Sequence, residues 1–274
     1  MIEVNKCPSC GISDSLISVM PHKIFFKESF IVRCSACEFL WLKNQLDDKE
    51  LTHYYKKQYR NIKKEEFTFG RFKNDLQRAI SQYLFYKKYL PCKTEKIIEI
   101  GAGWGVSAKY LYKQGFNRTT IVEPDDRVLA MSLNYIDRYD HIDDVDSHFF
   151  SFIVLSHVFE HIYNFDDFFK KILSISTRSS VLFIEVPNCE NNYLLDNSDT
   201  SFHYWFFTKK TLAKILKKYG YQLLEMKFYG KDKFIQRGVK RNHQYISFDN
   251  SIKEYESSDD PCAFWIRACF RLEK

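Results

Sequence analysis

The segment Lys96–Gly105, KIIEIGAGWG, decides the fold class of this 274-residue chain. Its three isoleucines are β-branched and predict a short buried strand. The glycines Gly101, Gly103 and Gly105 follow at once, and a backbone without Cβ atoms lets a ligand approach closely. Helical spacing then continues as far as Gly115, which is expected to end the helix. A strand, a glycine turn and a helix open a doubly wound α/β domain, whose ligands bind at the carboxyl ends of the strands.

The sequence after this unit alternates between apolar strands and helices, which favours an α/β fold with a mostly parallel sheet. The acidic segment 137–147 leaves little room for a full third strand. The polar, basic stretch at about 230–262 is longer than ordinary connections and is expected to form a cap or a mobile loop. The further predicted strands are 119–122, 149–155, 181–186, 221–228 and 263–272, and the further predicted helices are 127–136, 165–175 and 208–220.

Two cysteine pairs near the N-terminus have the spacing of a zinc site. Cys7-Pro-Ser-Cys10 and Cys34-Ser-Ala-Cys37 are C-x2-C knuckles, and two knuckles complete a closed tetrahedral site of four thiolates. The alternating segment Ile24–Val32 between them is predicted to be a strand. A region this small needs the metal for its folding free energy, so we interpret the zinc as structural. The expected division is a zinc-ribbon module at 1–42, a helical linker or substrate cap at 43–90 and the main domain at 91–274.

The composition excludes several classes of protein. Aromatic residues make up 17% of the chain, which argues against disorder. No apolar run reaches the roughly 18 residues of a membrane helix, and the opening MIEVNKC lacks the apolar core of a signal peptide. We therefore expect a cytoplasmic protein without membrane insertion, and cysteines in metal-ligand spacing favour such a reducing compartment. The net charge of +6 permits a nucleic-acid partner without requiring one.

The spacing of the glycine turn distinguishes two classes of nucleotide cofactor. A dinucleotide fingerprint needs a third glycine three positions after the second, and Val106 stands at that position. The chain instead has the pattern Glu99-x-Gly101-x-Gly103-x-Gly105. Glu123 follows the second predicted strand, where its carboxylate can accept hydrogen bonds from both hydroxyls of an adenosine ribose.

With these motifs, residues 96–228 resemble the class I S-adenosylmethionine-dependent methyltransferases. The resemblance implies a Rossmann-like, seven-stranded sheet with its last strand antiparallel. It also implies that Gly101 and Gly103 lie against S-adenosylmethionine, Glu99 near its amino group and Glu123 on its ribose. Adenine contacts are expected from Asp143 or Asp144. As a departure from the family pattern, Ser151 stands where the motif of the fourth strand usually begins with Asp. The candidate cofactor-binding residues are Glu99, Gly101, Gly103, Gly105, Glu123, Pro124, Asp143 and His157.

The segment after the fourth predicted strand, Ser156-His157-Val158-Phe159-Glu160-His161, looks like a further motif of this family. The same residues match the H-x-x-E-H pattern of certain zinc proteases, which requires both histidines on one helix face. An apolar strand leads directly into His157, so the helical geometry is not expected. In a methyltransferase His157 would border the cofactor, and Glu160 and His161 would either fix the loop or take part in catalysis.

His203 is the preferred candidate for a general base, because it lies on the loop after the fifth strand, where acceptors reach the cofactor. A histidine packed among aromatic residues is the alternative. The four-cysteine knuckle and this aromatic loop are similar to the zinc-containing sugar methyltransferases. In the sugar C-methyltransferases a Tyr-x-Glu-His segment carries the corresponding histidine. Here Thr200 stands in place of the tyrosine and Phe202 in place of the glutamate, which disfavours the carbanion chemistry of C-methylation. We therefore predict methylation of a hydroxyl on a sugar, nucleotide-sugar or surface-glycan precursor.

Three other functions remain open at this stage. An RNA methyltransferase would use the Lys-rich stretch 209–241 on phosphates, although its lysines are spaced like an ordinary solvated helix face. A sugar C-methyltransferase would need a stronger base. A non-catalytic scaffold that binds the cofactor would use the zinc module for partner contact, but the intact glycine turn and Glu123 argue against it.

Overall fold

The structure is a computed structural model that describes residues 2–13, 16–24, 27–57, 68–125, 136–146, 149–190, 203–232, 256–261 and 263–273. In chain order the strands are β1 Ile2–Glu3, β2 Leu16–Ile24, β3 Lys27–Cys34, β4 Leu40–Leu42, β5 Asn44–Gln45, β6 Ile97–Ile100, β7 Thr119–Val122, β8 Asp137–Tyr139, β9 Phe150–Ser156, β10 Ser176–Pro187, β11 Trp205–Phe206, β12 Tyr221–Asp232, β13 Ser257–Ser258 and β14 Ala263–Leu272. The helices are α1 Asp48–Lys57, α2 Phe69–Tyr86, α3 Val106–Lys113, α4 Phe165–Ile175 and α5 Lys209–Lys218.

The main sheet has the strand order β13-β12-β14-β10-β9-β6-β7-β8. Strands β10, β9, β6, β7 and β8 are parallel, and β14 is inserted antiparallel between β10 and β12. The predicted doubly wound, mostly parallel sheet with an antiparallel last strand is therefore confirmed. The two-residue strand β13 is an addition at the edge, paired with β12.

Most predicted core elements have the expected positions, and the differences have local causes. The third strand, β8, is only three residues long, as its acidic sequence suggested. Strand β10 begins at Ser176, earlier than predicted, because Ser176 pairs with Phe150 of β9 before a register shift that ends at Val181. The predicted helix 127–136 lies mostly outside the described residues.

The prediction of one strand at Ile24–Val32 is wrong, because this segment contains the reversal of a hairpin. Strands β2 and β3 are antiparallel, and Ile24 pairs with Lys27. The turn is not marked by a change of composition, because apolar residues typical of strands stand at 24–26 and again at 30–32. It also lacks the Asn-Gly or Asp-Gly pair that marks a hairpin in sequence.

Helix α2 covers one face of the main sheet next to the glycine turn. Its Tyr86 ring lies 5.1 Å from the ring of Phe152 on β9 and 4.9 Å from that of Phe183 on β10. The Thr68 side chain caps its first turn by accepting from the Arg71 N–H. No described helix is both long and apolar enough to cross a bilayer.

The N-terminal module joins the main domain through a shared sheet. Its strands β2, β3 and β4 are extended by β11 from the main domain, where Trp205 pairs with Trp41. The Phe39 ring stacks on Trp41 and Trp205, and these rings belong to one continuous apolar core with β6, β9 and β10. The module therefore fixes the position of the segment that carries His203.

Candidate active site

The three glycines after β6 form the turn predicted from the sequence. Gly101, Gly103 and Gly105 have φ values of 68°, 56° and 68°, a backbone region that only glycine adopts without strain. The Gly103 N–H donates to Oε2 of Glu123 at 2.7 Å, and Oε1 of Glu123 accepts from the Asp125 N–H at 3.1 Å. The carboxylate that ends β7 is thus tied to the turn that ends β6.

A cavity of about 670 Å³ opens at the carboxyl ends of β6, β7 and β9. Of the candidate cofactor residues, Glu99, Gly101, Gly103, Glu123, Pro124, Asp143 and His157 line it. Its described walls do not include Gly105, which instead precedes the first residue of α3. Asp144, the alternative to Asp143 for the adenine contact, is also absent from these walls.

Glu99 is buried at the floor of this cavity, with 3% of its surface exposed. Burial raises the pKa of its carboxyl to about 8, although the Ser107 hydroxyl and the Ala108 N–H partly oppose the shift. Its Oε2 makes no hydrogen bond within the described chain. An ammonium group placed here would favour the ionised carboxylate, and Glu99 therefore fits the amino group of a ligand.

His157 ends β9 in a left-handed conformation with φ of 55°, which is unusual for a residue other than glycine. Its backbone N–H donates to the Glu185 carbonyl at 2.9 Å. The ring is held from both sides, with Nδ1 3.3 Å from Glu160 Oε1 and Nε2 3.2 Å from Glu185 Oε1. Burial alone would lower the pKa of His157, but Glu160 and Glu185 offset this effect and hold the pKa above its ordinary value. The His157 ring is therefore held in place by two buried carboxylates.

A buried ion pair between Glu185 and Arg267, which the sequence did not indicate, lies next to His157. Glu185 on β10 and Arg267 on β14 are both completely buried, and Arg267 Nε donates to Glu185 Oε2. Gln82 of α2 donates to Glu185 Oε1 at 2.9 Å and to Ser156 Oγ at 2.7 Å. Burial would raise the pKa of Glu185, but Arg267 and His157 hold it well below its usual range. One signal in the sequence could have revealed this pair, because Glu185 and Arg267 each stand in the middle of an apolar strand.

Three side chains next to His157 form a compact cluster of Glu160, His161 and His203. Their ligand atoms all lie within 4.8 Å of one another. Oε1 of Glu160 is 3.9 Å from His161 Nε2 and 4.0 Å from His203 Nε2. His161 lines the cavity, whereas His203 is not among the described lining residues and lies next to His161, with ring centroids 5.0 Å apart.

The H-x-x-E-H sequence does not form the helix of a zinc protease. Residues Phe159–His161 are a single 3-10 turn, and His157 contacts Glu185 while His161 contacts His203. The turn instead places Glu160 between His157 and the pair of histidines on its other side. The role of His203 as a neighbour of Glu160 and His161 was not visible in the spacing, because it depends on contacts between distant segments, such as the pairing of β11 with β4.

The four predicted zinc ligands come together in the N-terminal module. The Sγ atoms of Cys7 and Cys37 are 3.5 Å apart, those of Cys10 and Cys34 are 3.6 Å apart, and all four lie within 4.8 Å. Tetrahedral zinc with Zn–S bonds of about 2.3 Å would place its sulfurs about 3.8 Å apart. The donor set and its spacing therefore fit a closed zinc site.

Residues 65–226, more than half of the chain, match the family described as the methyltransferase domain. The protein belongs to this family. As a methyltransferase it is similar in structure to one of Thermotoga maritima, with a TM-score of 0.54 and 16% identity over 82% of this chain and 100% of the other. It is also similar to the Burkholderia thailandensis 1,6-didemethyltoxoflavin N1-methyltransferase, which was solved with S-adenosylhomocysteine. The TM-score is 0.51 and the identity 15%, over 93% of this chain and 100% of the other. An S-adenosylmethionine-dependent methyltransferase from Archaeoglobus fulgidus has a TM-score of 0.51 and 16% identity, over 75% of this chain and 100% of the other. No curated protein matches the chain significantly.

The protein is thus an S-adenosylmethionine-dependent methyltransferase, and its cavity has the groups that this cofactor needs. The Glu123 carboxylate would accept from the ribose hydroxyls, and the Glu99 carboxylate would take the amino group. The glycine turn leaves room along the backbone for the part of the cofactor between them. S-adenosylmethionine supplies the methyl group when bound, and the remaining chemistry depends on how the chain's own residues hold and activate the acceptor.

Proposed function

We propose that the protein methylates a hydroxyl group of a small carbohydrate acceptor, such as a sugar, a nucleotide-sugar or a surface-glycan precursor, in the cytoplasm. The observation that carries this proposal is the imidazole of His161 on the wall of the same cavity as Gly101 and Glu123. A hydroxyl acceptor benefits from a group that removes its proton, and histidine titrates in the useful range. His161 has this position, and Glu160 lies behind it to stabilise the imidazolium that forms.

The two other candidate histidines, His203 and His157, then have supporting roles. His203 lies next to His161 and within 4.0 Å of Glu160, so it supports the cluster rather than meeting the acceptor first. Glu160 and Glu185 contact the His157 ring at its two nitrogens, so His157 orients the cavity wall. The in-line transfer of a methyl group from a sulfonium then depends mainly on positioning the hydroxyl.

The walls of the cavity are suited to a polyhydroxylated acceptor. They combine aromatic surface with many hydrogen-bonding side chains, as small-molecule sites do. The polar lining residues beyond the cofactor candidates include Arg71, Asp75, Arg78, Gln82, Asp140, Asn164, Asp167 and Lys171. Zinc on Cys7, Cys10, Cys34 and Cys37 would keep a structural role, because its module holds β11 next to His203.

The described part of the basic stretch gives little support to RNA as the acceptor. On α5, Lys210 is paired with Glu38 at 2.7 Å and Lys218 with Asp166 at 3.2 Å. Lys209 lies over the Phe228 ring at 3.5 Å. Local acidic and aromatic partners thus already hold three of the lysines that would have to contact phosphates.

Replacement of His161 by asparagine is expected to lower turnover by about 10²–10⁴-fold, the usual contribution of a general base. The affinity for S-adenosylmethionine should stay nearly constant, because His161 is not among the cofactor candidates. The assay supplies cofactor with a labelled methyl group to separate pools of nucleotide-sugars and of RNA. The exposed His53 on α1 provides the control His53→Asn, which should keep full turnover. Label in RNA alone, or full turnover of His161→Asn, would contradict the proposal.

A further inference from the structure

The cluster of Glu160, His161 and His203 contains the three ligands of a site made of two histidines and one carboxylate. Its ligand atoms lie within 4.8 Å of one another, and Glu160 Oε1 is 3.9 Å and 4.0 Å from the two imidazole Nε2 atoms. Around a tetrahedral ion with bonds of about 2.1 Å, such atoms would be about 3.4 Å apart. The carboxylate contacts therefore need to shorten by only about 0.5 Å to enclose an ion.

The backbone holds the two halves of this cluster together. The Tyr204 N–H donates to the Glu160 carbonyl at 2.9 Å, which places His203 directly beside the turn that carries Glu160 and His161. Trp205 Nε1 donates to the Ile162 carbonyl and fixes the same two segments a second time. The cluster is thus a preorganised site rather than a chance encounter of long side chains.

The carboxylate itself is unusual for a group with a purely structural role. Glu160 has 1% of its surface exposed, and its Oε2 makes no hydrogen bond within the described residues. A buried carboxylate oxygen without a partner carries a large desolvation cost, which a cation would offset. Nδ1 of His157 lies 3.3 Å from Oε1 and can donate a hydrogen bond to it, as the outer partners of metal-binding carboxylates do.

We propose that Glu160, His161 and His203 bind a divalent transition-metal ion, with Zn²⁺ the best match to two imidazoles and one carboxylate. Three protein ligands leave the fourth position of a tetrahedral ion open, and His161 connects the site to the cavity whose wall it forms. The inference rests on the proposed function for the identity of the bound group, and in it the metal ion held by His161 takes over the activation of the hydroxyl from His161 as the base. An acceptor hydroxyl on the ion would have a lowered pKa, because a metal ion stabilises the alkoxide.

With His161 and His203 bound to the ion, neither histidine takes up the proton of the acceptor. The hydroxyl oxygen forms a bond to the methyl carbon while the carbon–sulfur bond of the sulfonium breaks. The electron pair of that bond stays on sulfur and gives neutral S-adenosylhomocysteine. The hydroxyl proton passes to water in the cavity, and the metal keeps its charge throughout.

The test is a Co²⁺ titration of the full chain, followed by visible absorption and metal analysis. Wild-type protein should bind two equivalents, one with intense thiolate-to-cobalt bands from the four cysteines and one with weak bands that lack thiolate character. Glu160→Gln should weaken the second equivalent by more than about 100-fold, beyond the 10–100-fold typical of outer-shell changes, and leave the thiolate bands unchanged. His203→Asn should do the same, and His53→Asn should bind like wild type.

A single equivalent with thiolate bands in wild-type protein would overturn the metal site. Retention of both equivalents by Glu160→Gln and by His203→Asn, with unchanged circular dichroism, would overturn it as well. Either result would leave methyl transfer to a nucleotide-sugar intact, with His161 as the base. If two equivalents bind but no carbohydrate pool is labelled, the proposed function fails and the metal site stands.

Discussion

Replacement of Gly101 by alanine is expected to abolish measurable binding of S-adenosylmethionine. A Cβ at this position would lie under 3.0 Å from Cγ2 of Val158, and φ of 68° strains any residue with a side chain. The left-handed conformation alone costs about 1–2 kcal/mol, and a forced contact in a packed site typically adds about 1–3 kcal/mol. The turn must therefore move away from Val158, and the backbone proposed to bind the cofactor moves with it. Isothermal calorimetry with the cofactor measures the loss.

The chain offers a matched control for this effect. Gly105 has the same φ of 68°, but a Cβ there would meet nothing within 4 Å. Gly105→Ala should therefore show only the conformational cost and keep most of the cofactor affinity. In Gly101→Ala, the second substitution Val158→Ala should restore part of the affinity because it removes the contact. Equal affinity losses in Gly101→Ala and Gly105→Ala, with no rescue by Val158→Ala, would show that the contact has no role.

Replacement of Glu185 by glutamine is expected to give the largest loss of stability, about 3–5 kcal/mol in the free energy of unfolding. Arg267 is completely buried and would keep its charge without the carboxylate that compensates it. The same change loosens His157 and Gln82, which both contact Glu185 at the cavity wall. Urea unfolding followed by tryptophan fluorescence measures the stability.

Glu225→Gln is the control for a carboxylate that is less buried. Glu225 pairs with Lys88 at 2.9 Å and with Lys227 at 3.2 Å, and both lysines are more than half exposed. Such pairs contribute about 0–1 kcal/mol, so this variant should unfold almost like wild type. A loss below about 1 kcal/mol in Glu185→Gln would show that the buried pair does not behave as an uncompensated charge when broken.

The pH dependence of stability provides a second readout for Glu185. Its folded-state pKa is depressed, so its stabilisation is fully present above the unfolded pKa of about 4.3 and is lost as the pH falls toward the folded value. Glutamine has no proton to gain. The stability of Glu185→Gln should therefore decline less steeply than that of wild type below about pH 5.

Local patterns in the sequence predicted the elements whose signals are also local. The isoleucines and glycines of Lys96–Gly105 define a strand and a turn without help from the rest of the chain, and β6 and α3 begin where they indicate. The two C-x2-C knuckles likewise predicted which sulfurs would come together. The apolar residues at 24–26 and 30–32 did not reveal the reversal between β2 and β3, since both groups are typical of strands.

Contacts between distant segments could not be predicted in the same way. Glu185 and Arg267 stand opposite each other because β10 and β14 pair antiparallel in that register, which no local pattern encodes. The position of His203 depends on the pairing of β11 with β4, so a residue of the main domain is placed by the N-terminal module. Local patterns therefore indicated the residues that line the cavity at the ends of β6 and β7, but not the cluster of Glu160, His161 and His203.

Binding of S-adenosylmethionine is the measurement that tests the central claim most directly. Calorimetry of wild-type protein should show one cofactor per chain. Glu123→Ala should weaken binding by more than about 100-fold, because hydrogen bonds to a charged group contribute about 1.5–3 kcal/mol each and this carboxylate also holds the Gly103 N–H. Absence of binding heat with wild-type protein, or equal affinity in Glu123→Ala, would contradict the assignment of this cavity to the cofactor.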